Sequence, residues 1–284
     1  MVQEELGNQR ERMLDAWDAA APGWGRQADR MQLFALPVSE WMVRRAALEP
    51  GQQVVELAAG PGDTGFMAAR LVAPGGGLIS SDAAAGMLAV ARERAAEHGI
   101  TNVEFKQLQL EWIDLPAASA DAVLCRWGLM LVLDPAAALR ECRRILKPGG
   151  RLALAVWDLP QSNPWATIIS GALVELGHAE PPPQGGPGMF ALSHPGLLEE
   201  LLATAGFSDI DTEPITIVRR YPNVSEWIAD TYDHASQFAA VWKDLAGEQR
   251  DRLREHLLRA AIEYVDDAGA IELPGSTLAA VALA

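Results

Sequence analysis

Positive charge, cysteine and long apolar runs are all scarce in this chain of 284 residues, and each shortage removes a class of function. There are 23 Lys and Arg against 38 Asp and Glu, a net charge of −15. Nucleic-acid binding draws most of its affinity from basic groups on phosphates, so this balance argues against DNA or RNA as a partner. Cys125 and Cys142 form no C-x-x-C pair and read as reduced packing residues. His98, His178, His194, His234 and His256 are scattered along the chain, so no metal site is expected. No apolar stretch reaches the roughly 18 residues of a membrane span, and residues 1–30 mix Glu, Arg and Asp without an apolar core. The expectation is a cytoplasmic protein with a small-molecule partner, its oligomeric state open and a homodimer included.

What the chain does have is alternation. With 49% hydrophobic residues and no sharp break in composition, it is long enough for one large α/β domain with additions. The apolar patterns predict strands over 53–58, 77–81, 103–108, 121–126 and 151–157, with helices over 63–72, 84–98 and 135–146 between them. Such a succession gives a parallel sheet with helices on both faces. Two amphipathic helices, 3–20 and 31–48, precede it, joined by the loop Ala21-Pro22-Gly23-Trp24-Gly25.

The densest information lies in Val54-Val55-Glu56-Leu57-Ala58-Ala59-Gly60-Pro61-Gly62-Asp63-Thr64-Gly65, where an apolar run stops at a glycine turn and an amphipathic segment follows. Gly60 and Gly62 let backbone approach a ligand closely, and a helix starting near Asp63 points free N–H groups into the same space. Gly60, Gly62 and Gly65 also fit the G-x-G-x-x-G spacing of dinucleotide loops, although a tight strand-to-helix turn without ligand uses the same residues. Asp82 ends the next predicted strand about twenty residues further on, where an acid accepts ribose hydroxyls in either kind of nucleotide site or caps the following helix. Glu56 inside a buried strand demands a partner, because an unpaired buried carboxylate is costly.

Three motifs bear on the choice of cofactor. The order Glu56-x-Ala58-x-Gly60-x-Gly62 resembles motif I of the class I S-adenosylmethionine-dependent methyltransferases, with Ala58 where that family usually has its first glycine. Asp82-Ala83-Ala84-Ala85-Gly86-Met87-Leu88 is similar to the family's D-x-S-x-x-M-L, and Leu146-Lys147-Pro148-Gly149-Gly150 to its turn before the fifth strand. Gln109-Leu110-Glu111 stands where relatives write Asp-Ala-Glu, so the resemblance offers Gln109 as the acceptor of the adenine amine. It implies a Rossmann-like, seven-stranded, mostly parallel sheet sandwiched by helices, binding S-adenosylmethionine and releasing S-adenosylhomocysteine. The implied cofactor residues are Glu56, Ala58, Gly60, Pro61 and Gly62 in the first loop. Asp82, Ala83 and Met87 follow in the second, then Gln109, Leu110 and Glu111, and last Arg126 and Trp127 at the fourth strand end.

The remainder is inferred from position. Residues 1–50 are expected to form a lid, 51–221 the cofactor-binding core with a lid loop over 160–195, 222–270 a helical cap, and 271–284 the final strand. Within these spans a helix is predicted over 166–176, a Pro- and Gly-rich loop over 178–188, a helix over 195–205 and a strand over 210–221. Helices over 224–238 and 247–265 follow, and the family resemblance makes 276–283 a strand where Ala and Leu content alone suggests helix. Trp24, Trp127 and His234 are candidate acceptor contacts, and His234 and His194 candidate general bases. Methyl transfer is an in-line displacement that depends mainly on orientation, so catalytic residues leave a weaker mark than cofactor residues. Two other readings stay open: an NAD(P)-dependent oxidoreductase, and a protein that binds S-adenosylmethionine without transferring its methyl group.

Overall fold

The computed structural model describes residues 2–181 and 186–284, with backbone alone for 2–6 and 236–237. Its frame is a seven-stranded sheet in the order β3-β2-β1-β4-β5-β7-β6. Strands β1 (Gln53–Leu57), β2 (Gly77–Asp82), β3 (Val103–Gln107), β4 (Ala120–Arg126) and β5 (Leu146–Trp157) pair in parallel, and β7 (Ile271–Leu283) runs antiparallel between β5 and β6 (Ser208–Tyr221). The strand order reverses between β1 and β4, and a crevice opens beyond the carboxyl ends of the strands at such a point. The central strands are apolar because both faces are covered: Val54, Val55, Leu57, Val123, Leu124 and Ala153 are buried under helices on either side.

Helices α3 (Asp63–Val72), α4 (Ala85–Glu97) and α5 (Pro135–Ile145) connect the parallel strands. The start of α5 shows how local chemistry fixes a boundary: Asp134 accepts the Ala137 N–H at 2.8 Å and Pro135 occupies the first turn. Arg143 and Arg144 close its last turn, where cations suit the helix dipole. Helices α6 (Pro164–Glu175) and α7 (Leu197–Thr204) lie between β5 and β6; α8 (Val224–His234), α9 (Ser236–Asp244) and α10 (Gly247–Ala260) lie between β6 and β7. This second set has its own apolar cluster around Trp227, Leu253, Leu257, Ile271 and Leu273, separate from the cluster under the sheet. No described helix is long and apolar enough to cross a membrane.

Three expectations change. The loop expected at 21–25 does not exist: α1 runs from Val2 to Arg26 and α2 from Ala28 to Ala46, with Pro22 and Trp24 inside α1. Burial of Ala21 against Met87 and packing of Trp17 on Trp24 hold the helix through the proline. Lys147-Pro148-Gly149-Gly150 is an irregular start of β5 rather than a free turn; Gly149 takes φ +78° and its N–H reaches Ala284 O at 3.0 Å. The helix expected over 224–238 breaks at Ala235, which is extended, and the later one ends at Ala260 instead of 265. The final segment is a strand, as the resemblance required, because its alternating residues close the sheet beside β5. Part of the loop expected at 178–188 lies outside the described residues.

Candidate active site

The turn after β1 is built from left-handed backbone. Ala58, Gly60 and Gly62 have φ of +50°, +52° and +90°. Glycine adopts that region freely, whereas Ala58 does so at a cost of about 1–2 kcal/mol. Its methyl group is housed because residue 128 is glycine; a Cβ there would run into it. Beside Gly60 no atom lies within 4 Å of where a Cβ would stand, so backbone is open to a ligand.

Glu56 and Gly62 are not in the wall of the cavity that this turn borders, contrary to expectation. Glu56 is buried and accepts the Gly65 N–H at 2.7 Å and the Ser80 hydroxyl at 3.3 Å. It braces the turn from below. Burial pushes its carboxyl up to about 7, against the Gly65 N–H and the Arg126 charge. Gly65 is glycine because a Cβ would meet that carboxylate. Gly62 is buried at the start of α3, against the Phe66 ring.

The cavity wall does contain Ala58, Gly60 and Pro61, then Asp82, Ala83 and Met87, then Gln109, Leu110 and Glu111, and finally Arg126 and Trp127. Asp82 accepts the Gly60 N–H at 2.9 Å through one oxygen and the Ala84 N–H at 3.0 Å through the other. Burial raises its carboxyl above the ordinary range, and these N–H groups oppose the rise. A carboxylate has about four acceptor directions, so each oxygen keeps capacity for a further donor such as a ribose hydroxyl. Of the two polar residues at the next strand end, Gln109 is neutral and Glu111 carries the charge. Glu111 Oε1 accepts from Arg10 at 3.1 Å and from the Asp134 N–H at 3.0 Å.

Arg126, while in the cavity wall, is also held from behind. Its guanidinium donates to Ser39 at 2.9 Å and lies 3.5 Å from Asp63, which Arg94 also holds at 2.8 Å. Asp63 is buried between these two arginines, so the start of α3 is locked to β4, α4 and α2. Trp127 takes φ +59°, a conformation seldom adopted by bulky residues. Its indole is held by stacking on Trp157 at 4.3 Å and by donation to Thr277 at 3.0 Å. The indole thus forms a fixed apolar wall between cofactor loop and the antiparallel strands.

The opposite wall comes from α1: Arg10, Met13, Leu14, Trp17 and Trp24 line the cavity. Their spacing puts all five on one helical face. Only Trp24 was expected there; the periodicity of the other four was present in the sequence, but nothing in it said what that face would cover. Leu131, Val132 and Leu133 complete the apolar side. His234 and His194 are outside the cavity wall. His194 is exposed in the turn before α7 and sits 3.0 Å from Pro195 O. His234 lies behind Trp24, ring to ring at 5.1 Å, with Nδ1 3.3 Å from Asp230 Oδ1.

Comparison with known proteins agrees with this geometry. Residues 57–154 match the family model described as a methyltransferase domain. The ubiquinone/menaquinone biosynthesis C-methyltransferase of Cellvibrio japonicus is 35% identical over 122 residues, 43% of this chain and 49% of that relative. The corresponding enzyme of Hahella chejuensis is 37% identical over 131 residues, covering 46% and 51%. The chain therefore spans about half the length of the curated relatives it matches. Among solved structures, the YcgJ protein of Bacillus subtilis superposes with a TM-score of 0.59 at 19% identity, over 87% of this chain and 97% of that one. Residues 57–154 thus form a methyltransferase domain, set in a fold shared with solved proteins of low sequence identity. The open backbone at Gly60, the unsaturated Asp82 carboxylate and the charged Glu111 fit an adenosyl group.

Proposed function

We propose that the chain transfers a methyl group from S-adenosylmethionine to an oxygen or carbon atom of a small, apolar or aromatic acceptor. The observation that carries this reading is the two-sided cavity, with polar strand-end groups on one wall and Met13, Leu14, Trp17, Trp24 and Leu131 on the other. When bound, the cofactor supplies an electrophilic methyl carbon on a sulfonium. Asp82 receives the ribose hydroxyls, and Glu111 receives the adenine amine in place of the neutral Gln109. Trp127 and the α1 wall exclude water and align the acceptor, which is where most of the rate of an in-line displacement comes from. His234 is the candidate base for a hydroxyl acceptor; it lies behind Trp24, with Nδ1 beside Asp230.

A second reading, binding without transfer, is favoured by one observation: the strained alanine at position 58, where a glycine would cost nothing. Calorimetric titration with S-adenosylmethionine, S-adenosylhomocysteine and NADPH separates the alternatives. Binding of both sulfur ligands, with S-adenosylhomocysteine formed in the presence of a panel of phenols and quinols, is the expected result. NADPH binding alone overturns it, and binding without turnover across the panel favours the second reading. In the same assay Asp82→Ala is expected to weaken S-adenosylhomocysteine binding by about 1–3 kcal/mol, the scale of hydrogen bonds to a charged group.

A further inference from the structure

The wall that α1 places over the cavity ends at a break in the chain. Arg26 is the last residue of α1 and Ala28 the first of α2, with Gln27 between them at φ −103° and ψ 6°. Any swing of α1 away from the cavity has to turn about these residues, since α2 is packed into the core through Val38, Trp41 and Met42. Both residues at the break are held by a single carboxylate on α8. Asp233 Oδ1 accepts from Arg26, and Oδ2 accepts from Gln27 at 2.7 Å.

Neighbouring contacts reinforce this grip. Trp24, itself in the cavity wall, donates to His234 O at 3.3 Å, and Arg30 pairs with Glu226 at 3.2 Å. Gly23 lies so close to the Asp233 backbone that a Cβ would collide with it. Elsewhere α1 packs on α4 through Ala21 and Met87, and its further polar ties are Arg10 to Glu111 at 3.1 Å and Asp18 accepting the Gly86 N–H at 2.7 Å.

We propose that α8 is the catch of a lid formed by α1, and that Asp233 fastens its hinge, so that the inserted helices between β6 and β7 govern how fast cofactor and product exchange. The inference rests on the reading of the cavity as a cofactor site. Its chemistry is ordinary. An ion pair and an amide hydrogen bond sharing one carboxylate lock two successive residues, and a bound molecule under α1 leaves only when both are released. Because α8 belongs to the insertion and α1 covers the cofactor loops, events on the insertion reach the cofactor without a change in the sheet.

The test uses the full chain loaded with S-adenosylhomocysteine, its dissociation followed by stopped-flow tryptophan fluorescence. Hydrogen exchange of residues 7–26 is followed in parallel without ligand. Asp233→Ala and Arg26→Ala are each expected to raise the dissociation rate about tenfold. The double variant should be no faster than either single one, and α1 exchange should rise while the amides of β1 and β4 stay protected. Glu272→Gln, which touches only the exposed pair with Arg220, serves as the reference and should leave both readouts as in the parent. Dissociation within twofold of the parent in both single variants, or rates that multiply in the double variant, overturns the catch. If the parent binds no S-adenosylhomocysteine, the cofactor reading fails instead, and the exchange of α1 in Asp233→Ala still decides whether α8 fastens the hinge.

Discussion

The two walls of the cavity are made in different ways. On the strand side, contacts come from backbone and from residues at strand ends: the loop 58–61, Asp82 at the end of β2, and Glu111 after β3. On the helical side, they come from side chains brought together over long separations, such as Trp24 with His234 and Arg26 with Asp233. A turn that needs left-handed backbone leaves glycines at fixed spacing, whereas a contact between distant helices leaves only amphipathic patterns. The strand wall is consequently the part that resembles other proteins, and the matched segment 57–154 contains most of it.

The contrast can be tested from its strongest consequence down. Trp227 is fully buried in the apolar cluster of the helices between β6 and β7, stacked on Tyr221 at the end of β6. Trp227→Ala is expected to cost about 3–5 kcal/mol in urea unfolding, the usual scale for a buried aromatic. A loss below about 1 kcal/mol would mean that the insertion is held by the sheet and not by its own core. On the strand side, Gly65→Ala sets a Cβ against the Glu56 carboxylate, an overpacking expected to cost about 1–3 kcal/mol in the same assay. An unchanged midpoint would show that the turn yields freely.

Glu56 gives a pH-dependent test of that turn. Its carboxyl is raised from 4.5 to about 7 in the folded protein, so the folded state binds this proton more tightly than the unfolded one. The stability it contributes is complete below pH 4.5 and is lost as the pH rises toward 7. Glu56→Gln removes the titration while keeping an oxygen for the Gly65 N–H. The variant should therefore gain on the parent between pH 5 and pH 8, measured by urea midpoints, and a constant difference would contradict the burial. The smallest effect is expected at Ala58→Gly. Relief of about 1 kcal/mol of backbone strain is offset by about 0.5–1 kcal/mol of added freedom in the unfolded chain. A shift above about 2 kcal/mol would reveal packing of the Ala58 methyl beyond its contact with residue 128.

Much of the strand side was legible. The alternation of apolar strands and helices predicted the parallel sheet, and Asp82, Gly60 and Glu111 lie in the cavity wall as expected. Glu56 is legible as a buried acid in need of a partner, and the structure supplies the Gly65 N–H as that partner. Arg126 lies in the cavity wall, but its counter-charge, Asp63, belongs to a different element, and spacing carries no sign of such a pair. The break expected at Pro22 failed for a related cause. Proline weakens a helix locally, but tertiary packing of Ala21 and Trp24 outweighed that preference.

By itself, then, the sequence determined the order of strands and helices, the glycine turn and the acid at the end of β2, since these depend on periodicity and on backbone conformations that few residues tolerate. Tertiary structure alone decided which face of α1 covers the cavity, where Arg126 finds its charge, and that Asp233 holds Arg26 and Gln27 together. Those contacts join side chains that many residue types would permit locally, and only the folded chain brings them within hydrogen-bonding range.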